Sequence, residues 1–298
     1  MPTLTDVTAA GVIDSANPSR SRSWATGTRR VATLASWIVV FIGAAAVLVP
    51  IAWMLGTSFR SEADLFADPA RLWPSEPTLG GFRRVWSELP FVRLAINSVV
   101  FALGTTILLV FIDSLAGYAL ARLRFRGRRL ALWLVIGCLM IPFQVTLIPT
   151  FELINRLGWL NTYHGLIVPR MASAFGIFFL RQFFATIPRE LDEAALIDGA
   201  SHLQIYRAIA IPLAKPALAA LFVIHFMNLW NDFLWPMVMT TDPDMRTLPA
   251  GLTLFAGQHV TDHAVVMAGA VISLAPLALA FLVAQRYFVQ GIATTGFK

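Results

Sequence analysis

The dominant pattern along the chain is a series of long apolar runs separated by polar connections that contain arginine. A helix that crosses a bilayer needs about 20 apolar residues, because its backbone donors and acceptors find no water there and must bond within the segment. Runs that reach this length cover residues 31–56, 94–121, 130–151, 162–180, 217–241 and 264–285. The pattern therefore predicts an all-α integral membrane protein with six transmembrane helices.

The length of the first apolar run indicates whether it is a membrane helix or a cleaved signal peptide. It is longer than the 7 to 15 apolar residues typical of a signal peptide, so it favours an uncleaved helix. Residues 1–30 are polar and contain several arginines, which predicts a disordered cytoplasmic tail ahead of a membrane domain over 31–298.

The distribution of basic residues predicts the orientation. With an N-inside arrangement of six helices, most of the 23 lysines and arginines fall in connections on the cytoplasmic side. Both termini are then cytoplasmic, and residues 57–93 form an extracytoplasmic loop. Four prolines and balanced charges in that loop favour an ordered segment with turns.

The amino-acid composition argues against several classes of protein and of site. Apolar side chains make up 57% of the chain and charged ones 13%, about half the charged fraction of an average soluble domain, which argues against a soluble enzyme. The single cysteine, Cys138, excludes an intrachain disulfide and a thiolate zinc cluster. The net charge of +6 comes from arginines that flank apolar runs, which indicates membrane lipid rather than nucleic acid as the partner.

The most informative polar segment is the inner connection, residues 186–212. Pro188 suits the first position of a short helix, and Gly199 supplies a left-handed stop. Ser201 and Gln204 have the spacing of a capping box, so a second short helix is expected to begin there.

The first of these helices has an almost bare face, formed by Ala194, Ala195, Gly199 and Ala200. Small side chains allow close approach, so this helix could enter a groove of another protein. It could equally be part of an amphipathic hairpin that lies on its own membrane domain.

The fifth apolar run contains a cluster of amide, indole and carboxylate side chains: Asn228, Trp230, Asn231, Asp232 and Trp235. These groups could line a pathway for a polyhydroxylated solute, offering hydrogen bonds and stacking faces. The alternative is structural, with the tryptophans as interfacial anchors and Asp232 as a polar group at a helix end.

Two further charged residues lie within apolar runs. Asp113 and Arg170 are expected to face a cavity or a partner, because exposure of a charge to lipid is unfavourable. They could pair with each other, or Arg170 could extend to the outer headgroups.

Other candidate sites are weaker. His259 and His263 have i,i+4 spacing with Asp262 between them, but two histidines without a third ligand favour a solvated surface, so no metal site is predicted. Neither Lys215 nor Lys298 ends a glycine-rich phosphate loop, so no nucleotide or other cofactor is expected in this chain.

The inner connection resembles the EAA motif of binding-protein-dependent ABC importer permeases. The matching positions are Glu193-Ala194-Ala195, then Gly199, then Ile209-x-Ile211-Pro212, with Ile211 where leucine is usual. The segments that resemble the second permease subunit of the maltose-type, carbohydrate-uptake branch are 118–127, 157–162, 165–169, 230–236 and 285–291.

This resemblance implies a type I ABC importer permease architecture in the bacterial inner membrane and no catalytic reaction in this chain. It implies a heterodimer with a second permease, two ATPase subunits that hold ATP and magnesium, and an extracytoplasmic solute-binding protein. The residues it assigns to the ATPase-coupling loop are Glu193, Ala194, Ala195, Asp198, Gly199, Ile209 and Pro212.

The solute implied by the resemblance is a sugar or oligosaccharide, with a glycerol-phosphate-type solute as the alternative. An ion-coupled secondary transporter would need inverted repeats and a coupling carboxylate, for which Asp113 is the candidate. A membrane-embedded hydrolase would need a catalytic cluster such as paired aspartates, which the sequence does not contain.

Overall fold

The computed structural model describes residues 21–253 and 262–295, and within them every regular element is a helix. The helices are α1 Ser21–Ser58, α2 Glu62–Ala67, α3 Gly80–Glu88, α4 Phe91–Arg122, α5 Arg128–Leu139, α6 Phe143–Arg156, α7 Tyr163–Ile167, α8 Ala174–Thr186, α9 Arg189–Ile197, α10 His202–Ile205, α11 Ile211–Leu213, α12 Lys215–Trp230, α13 Leu234–Met239, α14 Leu248–Leu252 and α15 His263–Thr295. The all-α prediction is confirmed, and the first 20 residues of the expected tail lie outside the described residues.

The chain forms two units, residues 1–53 and residues 54–298. The first unit contains the apolar part of α1 up to Trp53, and Pro50 lies inside this helix. All packing described below belongs to the second unit.

The number of membrane spans differs from a simple count of apolar runs. Within the described residues, two helical segments are long and apolar enough to cross a bilayer, Thr33–Ser58 and Phe91–Arg122. The number rises to five if each of three bent helix pairs forms one span. The six-span arrangement and the position of the termini stay predictions.

The third apolar run shows why sequence length alone misleads. The structure bends by 100° between α5 and α6, so the prediction of one helix over 130–151 is wrong. Pro142 precedes α6 in an extended conformation with ψ of 136°. Proline lacks a backbone N–H and restricts the residue before it, which ends the preceding helix.

The fifth run is also divided. α12 ends at Trp230 and a separate short helix, α13, begins at Leu234, so residues 217–241 are not one helix. On its other side, α12 is bent by 77° from the helical segment His202–Leu213. The cluster of polar residues predicted in this run therefore lies at the end of one helix and the start of another.

The outer connection, residues 57–93, folds around one arginine. Arg60 is fully buried, lies 2.6 Å from the carboxylate of Asp64, and donates to the backbone carbonyls of Asp64, Asp68 and Arg71. This hydrogen bond from Arg60, together with one from Ser75, holds the pKa of the Asp64 carboxyl below its usual value of 3.8. The Arg60 side chain thus connects the end of α1 to α2 and to the turns that follow α2.

Three helices form the centre of the second unit. α4 packs most extensively on α8 and α12, and one apolar cluster joins their ends to the inner connection. This cluster includes Tyr118 of α4, Phe184 of α8, Tyr206 of the inner connection and Leu221 of α12. The inner connection is therefore attached directly to the central helices.

Candidate functional site

The inner connection folds into the predicted helix, turn and helix. α9 follows Pro188, which lies one residue before the helix, and Gly199 has the left-handed φ of 82° that the sequence indicates. The Ser201 side chain accepts from the backbone N–H of Gln204, and the Gln204 side chain accepts from that of Ser201. The predicted capping box is confirmed. The following segment contains a π-helical turn, Tyr206–Ala210.

The inner connection is held to the end of α4 by an arginine. The nearly buried Arg122 guanidinium donates to the carbonyl oxygen of Ile187 over 2.8 Å. Its Nε lies 3.4 Å from Asp192 Oδ2, which belongs to α9. The Arg122 side chain therefore links the end of α4 to the start of α9.

The opposite side of α9 is exposed. Ile197 is 87% exposed at the end of the helix, and Leu203, just beyond it, is about half exposed. Leu196 lies on the other side, near Arg122 and Asp192. Apolar side chains grouped at the tip of a polar connection are typical of a surface that contacts another protein.

The residues predicted for the coupling loop differ in exposure. Glu193, Ala194, Asp198, Gly199 and Pro212 are exposed, and Ala195 and Ile209 are half-buried. A Cβ built at Gly199 meets no atom within 4 Å, so the backbone conformation, and not crowding, sets the requirement for glycine.

A second feature is a cavity of about 990 Å³ in the second unit. Its wall is largely apolar and carries a few polar side chains: Gln144, Thr146, Arg170, Ser173, His225, Asn228 and Asp232. A mostly apolar cavity with a small number of polar groups is the usual form of a site for a small molecule.

Arg170 is the main cation of the cavity wall. Its Nη2 lies 3.0 Å from Asp232 Oδ2, and its guanidinium lies over the rings of Phe143, at 4.5 Å, and Trp235, at 5.7 Å. The pairing of Arg170 with Asp113 considered from the sequence is wrong, since a nearer carboxylate is available. Asp232 also accepts from the backbone N–H of Trp235, so it holds the start of α13 as well.

Asp113 is buried beside the cavity. Its Oδ1 accepts from the backbone N–H of Ser173 over 2.9 Å, and its Oδ2 lies 3.6 Å from His225 Nε2. This interaction joins α4 to the beginning of α8 and the middle of α12.

The residues predicted for a solute pathway divide into two groups. Asn228 and Asp232 line the cavity. Trp230 and Trp235 are buried, and their indole N–H groups donate to the carbonyls of Ser273 and Leu166. Asn231 is exposed and donates to the carbonyl of Met227.

Sequence reasoning missed His225 and Gln144 in the cavity wall. A signal for His225 existed, since residues 225, 228 and 232 follow helical spacing along one face. No comparable pattern marks Gln144.

The comparison with known families decides the identity of the chain. Residues 113–294 match the family of the binding-protein-dependent transport system inner membrane component. The chain belongs to this family.

Similarity to individual proteins supports the family assignment. Over 272 residues the permease is 36% identical to the sn-glycerol-3-phosphate transport system permease protein UgpE of Pectobacterium atrosepticum, covering 89% of this chain and 97% of that protein. It also resembles a solved bacterial ABC transporter involved in the import of the acidic polysaccharide alginate, with 26% identity, a TM-score of 0.79, and 88% and 98% of the two chains covered.

A further structure, a bacterial alginate ABC transporter in complex with an alginate pentasaccharide-bound periplasmic protein, has a TM-score of 0.60 at 14% identity. It covers 90% of this chain and 93% of that one, and shows the shared fold. The expected ABC importer permease fold is confirmed.

The family fixes several coarse properties. The chain is an inner-membrane permease subunit of an ABC importer, a non-catalytic component that works with an ATPase, a partner permease and a binding protein. The positions of the coupling and pathway residues are not fixed by these comparisons and stay predictions.

The histidine pair is the remaining sequence candidate. His259 lies outside the described residues, and His263 is exposed. Asp262 forms an ion pair with Arg84 and accepts from the backbone N–H of Val265 at the start of α15. In the described part of the chain, no three histidine, cysteine or carboxylate side chains form a metal-binding group.

Proposed function

We propose that this permease imports a sugar or oligosaccharide that an extracytoplasmic binding protein delivers. One observation carries the proposal. The helix α9, which has an exposed apolar tip, is linked by Arg122 to α4, and α4 also contacts a cavity whose largely apolar wall carries a few polar side chains. A chain that must link a motor protein to a solute pathway needs these two surfaces and a rigid connection between them.

In the proposed complex, α9 is the helix that docks on the ATPase. Ile197 and Leu203 present apolar contact area, and the short acidic helix can enter a cleft because its alanine positions are small. The ATPase-coupling residues are Glu193, Ala194, Ala195, Asp198, Gly199, Ile209 and Pro212.

The energy source is proposed to lie outside this chain. Two ATPase subunits hold ATP and magnesium, and the permease pairs with a second, related permease. We place both termini and the inner connection in the cytoplasm, the outer connection outside, and six spans between them. The even number of spans follows from the two termini lying on one side.

Transport follows alternating access in this proposal. Closure of the ATPase dimer on ATP moves α9 and, through Arg122, the end of α4. The cavity then opens outward to receive the solute, and ATP hydrolysis returns it to the inward-open state. Asn228 and Asp232 contact the solute on its way, and amide and carboxylate groups suit the hydroxyls of a sugar.

A glycerol-phosphate-type solute is the second candidate. The UgpE relative is named for sn-glycerol-3-phosphate, and the identity of 36% covers nearly its whole length. The cavity favours an uncharged saccharide over a phosphate, because Arg170, the arginine of its wall, already pairs with the Asp232 carboxylate.

The coupling role is tested by solute uptake into liposomes that contain the complete importer. Glu193→Ala and Gly199→Asp are compared with the wild type, and pull-down reports whether the ATPase remains bound. We expect uptake to collapse, through lost docking or through hydrolysis without transport. Glu152→Ala, an exposed glutamate on α6, serves as the control and keeps full uptake. Unchanged uptake in both coupling variants, or uptake that ignores ATP depletion, would overturn the proposal.

The solute is tested separately with the cognate binding protein. Its thermal stabilisation is measured with mono-, di- and oligosaccharides and with sn-glycerol-3-phosphate, and each stabilising compound is then offered to the importer. The proposal expects a saccharide to be bound and transported. Binding and uptake of glycerol phosphate alone would select the second candidate.

A further inference from the structure

Two neighbouring residues of α4 are buried and contact different parts of the permease. The hydroxyl of Ser114 lies 2.7 Å from that of Tyr206, which belongs to the inner connection. Asp113 accepts from the backbone N–H of Ser173, which lines the cavity. α4 thus carries, side by side, one polar contact to the inner connection and one to the cavity wall.

The cavity contact brings three helices together. Asp113 of α4 faces His225 of α12, with 3.6 Å between Oδ2 and Nε2. Gly176 of α8 lies against both, and a Cβ at this position would collide with the Asp113 carboxylate and lie 3.0 Å from His225 Nε2. The glycine makes room for the polar pair at the point where the helices cross.

Stability alone does not account for this arrangement. Asp113 has no exposed surface, and neither its Oδ2 nor His225 Nε2 completes a hydrogen bond within the described residues. Apolar side chains of similar volume would pack between these helices without the free-energy cost of burying a carboxylate. Polar groups buried within a membrane domain are therefore candidates for a role in transport.

The inner connection reaches the same part of α4 from the other side. The ring of Tyr206 packs against Tyr118 with 5.2 Å between centroids, and its hydroxyl lies at the Ser114 hydroxyl. Tyr206 lies in the π-helical turn between α10 and α11. Such turns are frequent at functional sites, because their wider winding can be adjusted.

We propose that Ser114 and Asp113 are positioning residues for transport. Displacement of Tyr206 moves α4 through Ser114, and Asp113, one residue away on the same rigid helix, transfers the movement to Ser173 and His225. Those two residues belong to the cavity wall, so the cavity opens or closes as the inner connection moves. The inference rests on the proposed function, since the ATPase must move the inner connection.

The contact between Ser114 and Tyr206 is tested by removing each hydroxyl. Ser114→Ala, Tyr206→Phe and the double variant are placed in the complete importer in liposomes, and uptake and ATP hydrolysis are measured in the same sample. We expect each single variant to lower the solute transported per ATP about fivefold, the effect of one lost hydrogen bond on a coupled equilibrium. The double variant lowers it no further, because the contact between the two hydroxyls is already lost in either single variant. Ser114→Ala also removes a bond to the carbonyl of Phe111 in its own helix, an effect for which Thr106→Val is the control.

Two controls separate positioning from folding. Ser114→Thr restores a hydroxyl and is expected to recover the ratio of uptake to hydrolysis. Thr106→Val removes another buried hydroxyl of α4, one that bonds to the carbonyl of Ala102 in its own helix, and leaves the ratio unchanged. In all these variants the apparent KM of uptake for the solute-loaded binding protein is expected to stay unchanged.

The cavity contact is tested with Asp113→Asn and His225→Gln. Asparagine can still accept from Ser173 but loses the charge that faces His225, so the ratio is expected to fall about as far as in Ser114→Ala. His225→Gln leaves the bond from the Ser173 backbone N–H to Asp113 in place, so it decides the cavity contact if Asp113→Asn fails to assemble. An unchanged ratio in His225→Gln would then overturn the role of Asp113.

Two results would overturn the inference. One is an unchanged ratio in Ser114→Ala and Tyr206→Phe, which would show that apolar packing alone transmits the movement. The other is an equal fall of uptake, hydrolysis and assembly, which marks a structural role. Gly199→Asp, measured in parallel, separates this failure from failure of the proposed function: if it abolishes uptake while the Ser114 variants do not, only the positioning role is wrong.

Discussion

At the scale of single residues, one buried polar side chain organises the outer connection of this permease. Arg60 donates to one carboxylate and to three backbone carbonyl groups between the end of α1 and the start of α3. A buried donor with several partners is costly to remove, since every partner loses its hydrogen bond together.

Replacement of Arg60 tests this role. We expect Arg60→Ala to destabilise the purified protein by about 3 kcal/mol, the effect of breaking a buried ion pair. Thermal unfolding in detergent measures the loss, and limited proteolysis shows whether cleavage begins in residues 57–93. Arg83→Ala, an exposed arginine in the same connection, should change stability by less than about 0.5 kcal/mol. Equal stability of the two variants would contradict the organising role.

In the fifth apolar run, replacing a cavity-lining residue and replacing a buried tryptophan are expected to have different effects. Asn228→Ala should leave assembly intact and lower uptake about tenfold, because the side chain lines the cavity and does not support the core. Trp235→Ala should cost about 3 to 5 kcal/mol of stability, since the ring is buried and its N–H is bonded. Uptake assays and thermal unfolding on both variants check this, and normal transport in Asn228→Ala would remove it from the pathway.

The sequence could not separate these groups. An indole is both apolar and a hydrogen-bond donor, so it fits a solute pathway and a protein core equally well. The structural role of Arg60 could not be predicted for a similar reason, since nothing in the neighbouring sequence distinguishes it from the other arginines of the outer connection. Both distinctions depend on contacts made in three dimensions.

At the scale of elements, the caps and turns of helices could be predicted from the sequence, and the bends between successive helices could not. The turn at Gly199 and the capping box at Ser201 and Gln204 were predicted, because each depends on residues within one or two helical turns. The 100° bend between α5 and α6 was not predicted. Pro142 marks the position of the break, but a proline in an apolar run is compatible both with a kinked span and with two separate helices.

The turn at Gly199 gives a prediction with an internal control. Gly199→Ala should weaken transport, because a Cβ makes the left-handed conformation less favourable by about 1 to 2 kcal/mol per residue. Gly199→Asn should retain more activity, since asparagine tolerates this conformation and no neighbouring atom obstructs it. ATP-dependent uptake ranks the variants, and an equal effect of Ala and Asn would show that backbone conformation is not the cause.

At the scale of the whole molecule, the family membership accounts for the division into an inner connection, a central group of helices and a cavity. The EAA segment marked the inner connection in the sequence, because the motif is local and ordered along the chain. The packing of α4 on α8 and α12 and the cavity were not predicted. The partners of Asp113 and Arg170 could not be predicted, since they come from distant segments that only the fold brings together.

The orientation in the membrane is tested by thiol labelling. In a Cys138→Ser background, which removes the single native cysteine, Arg83→Cys places an exposed thiol in the outer connection. Arg126→Cys places one between α4 and α5, a segment predicted to be cytoplasmic. A membrane-impermeant maleimide should label position 83 in intact spheroplasts and position 126 only after permeabilisation. The reverse pattern would contradict cytoplasmic termini.

The central claim is that α9 docks on the ATPase, and its most direct test is a contact measurement. A photoreactive p-benzoylphenylalanine is placed at position 197, the most exposed point of α9, in the complete importer. The same group at position 156 on α6, also exposed, is the control. Illumination should link position 197, and not position 156, to the ATPase subunit. No link from position 197, or equal yields from both positions, would contradict the account.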